Sequence, residues 1–166
     1  MQLNDSVREF FANYCRAFEA FDANTLSTFF SYPVLFTSTD SVRPQTIIAS
    51  TSDYVLAIAP LLQAYRDLCV GGGTVAGLET IVLAPSLVMA VVDWDIIASS
   101  GDLLYSHQAS YTLVRIDGWR IAAIALDELP KLRAALHVRK SAHSPPPCVA
   151  PEREHPGRAP SRSWSS

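Results

Sequence analysis

Residues 102–128 read DLLYSHQASYTLVRIDGWRIAAIALDE. Apolar and polar side chains alternate here with a period of two, which predicts strands over about 102–116 and 119–127. Asp117-Gly118 between them is a hairpin signal. The same period runs back through about 86–98 and 74–84, with breaks at Ser100-Gly101 and Ala84-Pro85. The second half of the chain therefore reads as a four-strand antiparallel meander. A tight turn at Ser100-Gly101 sets Ser99 opposite Asp102, and the Asp117-Gly118 turn sets Ile116 opposite Trp119. Carried along the strands, these registers give two faces. One, mostly apolar and aromatic, carries Trp94, Tyr105, His107, Tyr111, Ala122, Ile124 and Glu128, and is expected to be concave. The other carries Met89, Val91, Asp93, Gln108, Trp119, Ile121 and Asp127. It is expected to face outward and to suit a homodimer contact. A bulge would shift the register and swap some of these assignments.

Upstream the period changes. Val7, Phe10, Phe11, Tyr14, Phe18 and Phe21 recur every three or four residues and make one apolar helical stripe, with Asn4, Asp5 or Ser6 as its cap. A shorter helix follows from about Ala23 and ends at Tyr32-Pro33. Val34–Thr37 reads as a short strand. A third helix starts near Ser50–Asp53 and closes at Gly71-Gly72-Gly73, with Pro60 predicted to kink or break it. The fold class expected is α+β: three N-terminal helices packed on the concave face of a strongly curved, mainly antiparallel sheet.

The chain has 166 residues, 49% apolar and 17% charged, enough for one domain with a core. That domain is placed at 1–136. Residues 141–166 hold six of the eleven prolines among Ser and Arg. Such composition does not offset the entropy of ordering, so 137–166 are expected to be a disordered tail. Residues 1–136 carry 8 Lys and Arg against 14 Asp and Glu, a net of −6. An acidic body argues against a nucleic-acid partner. No apolar run reaches the roughly 18 to 20 residues of a membrane span, and the start lacks the pattern of a signal peptide. Cys15, Cys69 and Cys148 have no metal-ligand or disulfide-framework spacing, so a reducing cytoplasm is expected. Phosphate-loop, dinucleotide, nucleophile-elbow and zinc-helix motifs are absent, so neither a cofactor nor a metal is expected.

On the concave face Trp94, His107 and Glu128 share one row. A histidine in an aromatic wall beside a carboxylate can be tuned near neutrality and move protons. It can equally be structural, with Glu128 solvated. Tyr14, mid-stripe, can offer its hydroxyl to a ligand oxygen or to the backbone. Asp40 reads either as a general base or as a turn residue. Tyr32 lies near the expected pocket mouth, and Trp94 and Tyr111 form walls. Asp93, Gln108 and Asp127 make a second row on the outer face, either a cation site or a hydrogen-bonded surface row.

The stretches FFANYCRAFEAFDANTLSTFF (10–30) and SYTLVRIDGWRIAAIALDE (110–128) resemble the opening helix pair and last hairpin of the nuclear-transport-factor-2-like superfamily. The resemblance covers about residues 5–128. It implies a cone-shaped α+β fold, shared by ketosteroid isomerase, scytalone dehydratase, SnoaL-like cyclases and non-catalytic modules. Tyr14 precedes Asp22 by eight residues, as the oxyanion-binding tyrosine of ketosteroid isomerase does. Asp40 lies near the position of that enzyme's base. Its second oxyanion-hole acid has no counterpart, since Ala109 or Tyr111 falls there, and no named activity transfers. The function expected is binding of a small, largely apolar molecule in the cone. Cofactor-independent isomerase, dehydratase or cyclase chemistry is open to it, and a dimerisation or partner-binding module is the alternative.

Overall fold

A computed structural model describes residues 3–39 and 43–142. In chain order the elements are α1 (Leu3–Glu19), α2 (Ala23–Ser27), β1 (Phe30–Ser38), β2 (Gln45–Ile48), α3 (Thr51–Asp67), β3 (Val70–Ala84), β4 (Leu87–Ala98), β5 (Leu103–Arg115), β6 (Trp119–Leu126) and α4 (Glu128–Ser141). The six strands form one open, mixed sheet in the order β2-β1-β6-β5-β4-β3. All neighbours are antiparallel except β1 and β6, which run parallel. The expected α+β architecture is thus the observed one.

The helices form for local reasons and then bury one side. The stripe of α1 buries Val7, Phe10, Phe11, Tyr14 and Ala17. Asp22 caps α2 by accepting a hydrogen bond from the Asn24 N–H at 3.0 Å. Ser50 caps α3 in the same way through the Asp53 N–H. α3 runs through Pro60 as one helix, so Pro60 does not break it. Its Tyr54, Ile58, Leu62 and Tyr65 are buried. Ser6 is not a cap. Helix α1 begins before it, and its hydroxyl instead accepts from the Trp119 indole. The main core lies between α1, α3 and the concave face of the sheet, where Val88, Ala90, Val92 and Leu113 are fully covered.

The expected β4–β5 register holds from Leu87 to Ile96: Trp94 faces His107, Asp93 faces Gln108 and Ala90 faces Tyr111. Next to the turn it shifts by one residue, and Ile97 faces Leu103. The β5–β6 register does not hold throughout. Tyr111 faces Ile124 and Thr112 faces Ala123, but Leu113 then faces Ile121. One extra residue bulges there and turns the start of β6 over. Trp119 and Ile121, expected on the outer face, are buried instead, at 6% and 0% exposure. The surface inferred for a homodimer therefore loses its two largest apolar groups.

Three further expectations change. Gly71-Gly72-Gly73 do not close α3 but lie in β3. A Cβ on Gly71 would stand 2.9 Å from the Ser99 Cα, so glycine lets β3 press against the end of β4. The short strand expected at Val34–Thr37 is nine residues long and begins at Phe30, so α2 stops well before Tyr32. The boundary at residue 136 falls inside α4, whose residues 137–141 are helical rather than tail. Leu132 packs there with Tyr65, Leu68, Val70 and Ile96 in a smaller second core. The remainder of the expected tail, from 143 onward, lies outside the described residues. None of the described helices is long and apolar enough to cross a membrane. Cys69 is disulfide-bonded, so the cysteines no longer argue for a reducing compartment.

Candidate functional site

Helices and concave face enclose a cavity of about 330 Å³. That is near the lower limit for ligand pockets. Its walls are mainly aromatic and aliphatic, and the polar groups gather in two places. One is the end where β5 begins and β6 runs into α4. There His107 is carried by β5, opposite Trp94, on the concave face. Glu128 is the first residue of α4, directly after the last strand. An acid is favoured in a first helical turn, where backbone N–H groups lack partners.

Glu128 is buried at 5% exposure, and its partners explain how. Its Oε1 accepts hydrogen bonds from the Tyr65 hydroxyl of α3 and, at 2.8 Å, from the Tyr105 hydroxyl of β5. The His107 Nε2 stands 3.9 Å from the same oxygen. Burial raises both phenol pKa values, and the Glu128 charge raises them further, so both stay protonated donors. His107 responds oppositely. Burial pushes its pKa below the usual 6.5, although Glu128 and Asp127 pull it upward. Its Nδ1 is buried and lacks a hydrogen-bond partner among the described residues.

This has a measurable consequence. The folded protein binds the His107 proton less readily than the unfolded chain. Stability from this group is therefore complete above the unfolded value of about 6.5 and is lost as pH falls through the lower folded value. Glu128 and Asp127 favour the imidazolium and Lys131 opposes it. The urea midpoint is expected to fall between about pH 7 and pH 5, and His107→Gln to flatten that fall. An unchanged slope in the variant would exclude His107 as its source.

Tyr14 sits at the centre of an aromatic cluster. Its ring centroid lies 6.2 Å from that of Trp94 and 6.5 Å from that of Tyr111. Burial, with the nearby Tyr54 and Tyr111, lifts its pKa well above 10, so it remains a donor. It lines the cavity together with Trp94, His107, Tyr111 and Glu128. The Trp94 indole donates to the Tyr111 hydroxyl at 3.0 Å, which fixes the two walls against each other.

Five of the seven residues expected at the site are thus brought to one cavity. Tyr32 is not: its hydroxyl donates to the Ser27 carbonyl at 3.1 Å, away from the lining, and burial pushes its pKa up to about 12. Asp40 lies outside the described residues. Sequence reasoning missed Tyr65, Tyr105 and Tyr54 as site residues. Tyr65 and Tyr54 were legible only as helix core, and Tyr105 only as part of the concave face. The Tyr54 hydroxyl is buried without a partner among the described residues.

The outer row is a hydrogen-bonded surface. Gln108 donates its side-chain amide to Asp93 and its backbone N–H to Asp127, each at 2.9 Å, and Lys131 pairs with Asp127 at 2.7 Å. Among the described residues no three His, Cys, Asp or Glu side chains are placed to hold a metal ion.

A curved open sheet, helices on its concave face and a cavity between them define the cone-shaped α+β class expected from the sequence. Residues 4–128 match the family described as NTF2-like protein (DUF6841), and the chain belongs to that family. No match was found among curated proteins. Among solved structures, the chain is similar to an NTF2-like protein with a cystatin-like fold from Novosphingobium aromaticivorans. The identity is 16% over 80% of this chain and 88% of that one, with a TM-score of 0.60. A protein from Catenulispora acidiphila, solved in complex with S-DNPA, is also 16% identical, over 75% and 92% of the chains, with a TM-score of 0.60. Aln2 from a Streptomyces species is 15% identical over 80% and 95%, with a TM-score of 0.59. At these identities the likeness shows the fold alone.

Proposed function

We propose that this protein binds a small, largely apolar molecule in the cone cavity and moves a proton on it without a cofactor. The observation that carries this reading is Glu128, a buried carboxylate fixed by two phenols, beside His107 in the wall of an otherwise apolar cavity. The complex of the Catenulispora acidiphila protein with S-DNPA supports it by analogy.

The chemistry follows from the charges. Near neutral pH His107 is uncharged and can accept a proton. The imidazolium formed is stabilised by Glu128, while Tyr65 and Tyr105 hold that carboxylate in place. The Tyr14 hydroxyl, which makes no hydrogen bond among the described residues, supplies a donor for a ligand oxygen that gains negative charge. Isomerase, dehydratase and cyclase reactions all need such a base and such a donor.

A thermal-shift screen of neutral two- and three-ring compounds tests the binding. A ligand at 100 times its dissociation constant adds about 2.7 kcal/mol, a shift of several degrees. A screen in which nothing stabilises the protein removes the reading. Tyr14→Phe is expected to keep the ring packing, shift the melting temperature by less than about 4 °C, and weaken binding of an oxygen-bearing hit by about tenfold. Equal affinity in the variant would show that the hydroxyl faces no ligand. The alternative module, dimerising through the outer sheet face, is supported by exposed Met89 and half-buried Val91. A monomer in sedimentation at micromolar concentration would remove it.

A further inference from the structure

The second polar place in the cavity is its mouth at β2. Arg43 lies two residues before that strand and lines the cavity. It is the one Lys or Arg among the described lining residues. Its guanidinium makes no ion pair or side-chain hydrogen bond among the described residues, and it is exposed to solvent. A cation without a side-chain partner among the described residues, at the rim of an apolar cavity, is a ready donor to a carboxylate, which its planar fork can grip with two hydrogen bonds.

The sheet order places Arg43 relative to the other polar end. Thr37 of β1 pairs with Gln45 on one side and Ala125 on the other. Leu126 pairs with Ala109 of β5, and the Asp127 N–H reaches the Gln108 carbonyl. Arg43 and His107 therefore flank the same end of the sheet, with β1 and β6 between their strands. Three strand spacings are about 14 Å along the sheet, and the chord across a curved sheet is shorter. Charge then fixes a direction. Glu128 already accepts from two phenols and offers a second carboxylate no donor, whereas the Arg43 guanidinium attracts one.

We propose that the cavity takes an elongated apolar carboxylic acid, its carboxylate on Arg43 and its far, uncharged end at His107 and Glu128. This rests on the cavity reading above and specifies the substrate class. It also assigns Arg43 as the residue that selects acids over their neutral counterparts.

The test uses the full chain, with anthracene-2-carboxylate and its methyl ester as probes, titrated by fluorescence anisotropy. The acid is expected to bind about tenfold more tightly than the ester. Arg43→Gln is expected to erase that difference by weakening the acid alone, with the ester's unchanged affinity serving as the control for folding. Added salt should weaken the acid and leave the ester unaffected. If acid and ester bind the unaltered protein equally, or if Arg43→Gln weakens both alike, the inference is overturned and the cavity reading stands. If neither probe binds, the inference is overturned, and the neutral-compound screen alone decides the cavity reading.

Discussion

Replacing Glu128 by Ala is expected to destabilise the protein by about 3 kcal/mol. The figure comes from what the substitution leaves behind. The Tyr65 and Tyr105 hydroxyls both donate to this carboxylate, and Tyr65 is itself buried. A buried donor stripped of its acceptor costs about 1 to 3 kcal/mol, and two are stripped at once. For a domain of this size the melting temperature should fall by roughly 10 °C. Glu128→Gln keeps a carbonyl oxygen as acceptor and should cost about 1 kcal/mol; under the function proposed above it should also lose proton transfer, because the carboxylate that would stabilise the His107 imidazolium is gone. The triple variant Glu128→Ala, Tyr65→Phe, Tyr105→Phe should be more stable than Glu128→Ala alone, since donors and acceptor leave together. Urea denaturation of the three variants decides it. A loss below about 0.5 kcal/mol for Glu128→Ala, the usual scale of a surface change, would mean the carboxylate is not held as described.

Trp119→Ala is expected to cost more, about 3 to 5 kcal/mol. Trp119 is buried on the concave side, and its indole N–H donates to the Ser6 hydroxyl of α1 at 2.9 Å. The substitution opens a hole between sheet and helix and leaves that hydroxyl with one bond fewer. The Arg115 guanidinium, 5.8 Å from the ring centroid, also loses its aromatic face. Trp119→Phe should recover most of the packing. The outer-face placement expected from the simple hairpin register makes the opposite forecast, a loss within about 0.5 kcal/mol. A single denaturation curve therefore tests the bulge.

That bulge marks where the sequence stopped being legible. Pairing through Ser100-Gly101 put Trp94 beside His107, and it is right from Ile96 back to Leu87 although off by one beside the turn, where Ile97 faces Leu103. Pairing through Asp117-Gly118 was right from Ala123 onward and wrong before it. Nothing in Arg120-Ile121-Ala122-Ala123 says which residue goes unpaired. The two small alanines allow the extra residue without crowding either face, and burial of Trp119 and Ile121 against the helices settles it. Helix α4 was missed for a different reason. Its apolar side is thin, little more than Leu129, Leu132 and Leu136, and Pro130 looks like a breaker. Proline in a first turn breaks no hydrogen bond, however, and the basic Arg139 and Lys140 suit a last turn. With α4 unseen, Glu128 could be placed in the row of His107 but not joined to Tyr65. The phenols that hold it come from 63 residues upstream and 23 upstream, distances over which local patterns carry no information.

The position of β6 in the sheet also bears on how the chain acquires its structure as it is made. Strands β1 and β2 lie on one side of β6, and β5, β4 and β3 on the other. Among the described residues no hydrogen-bonded strand pair joins the two groups except through β6, the last of the described strands to be synthesised. A nascent chain that has emerged only as far as Gly118 holds two separate sheet fragments, each with an open edge where β6 belongs. Phe30 must wait some ninety residues for its partner Ile121. Pairing over so long a separation is slow, and open edges in the interval invite other strands. The protein is thus expected to depend on the cell's folding helpers until its last strand is in place. Any truncation before Trp119 should yield an aggregate rather than a smaller folded domain.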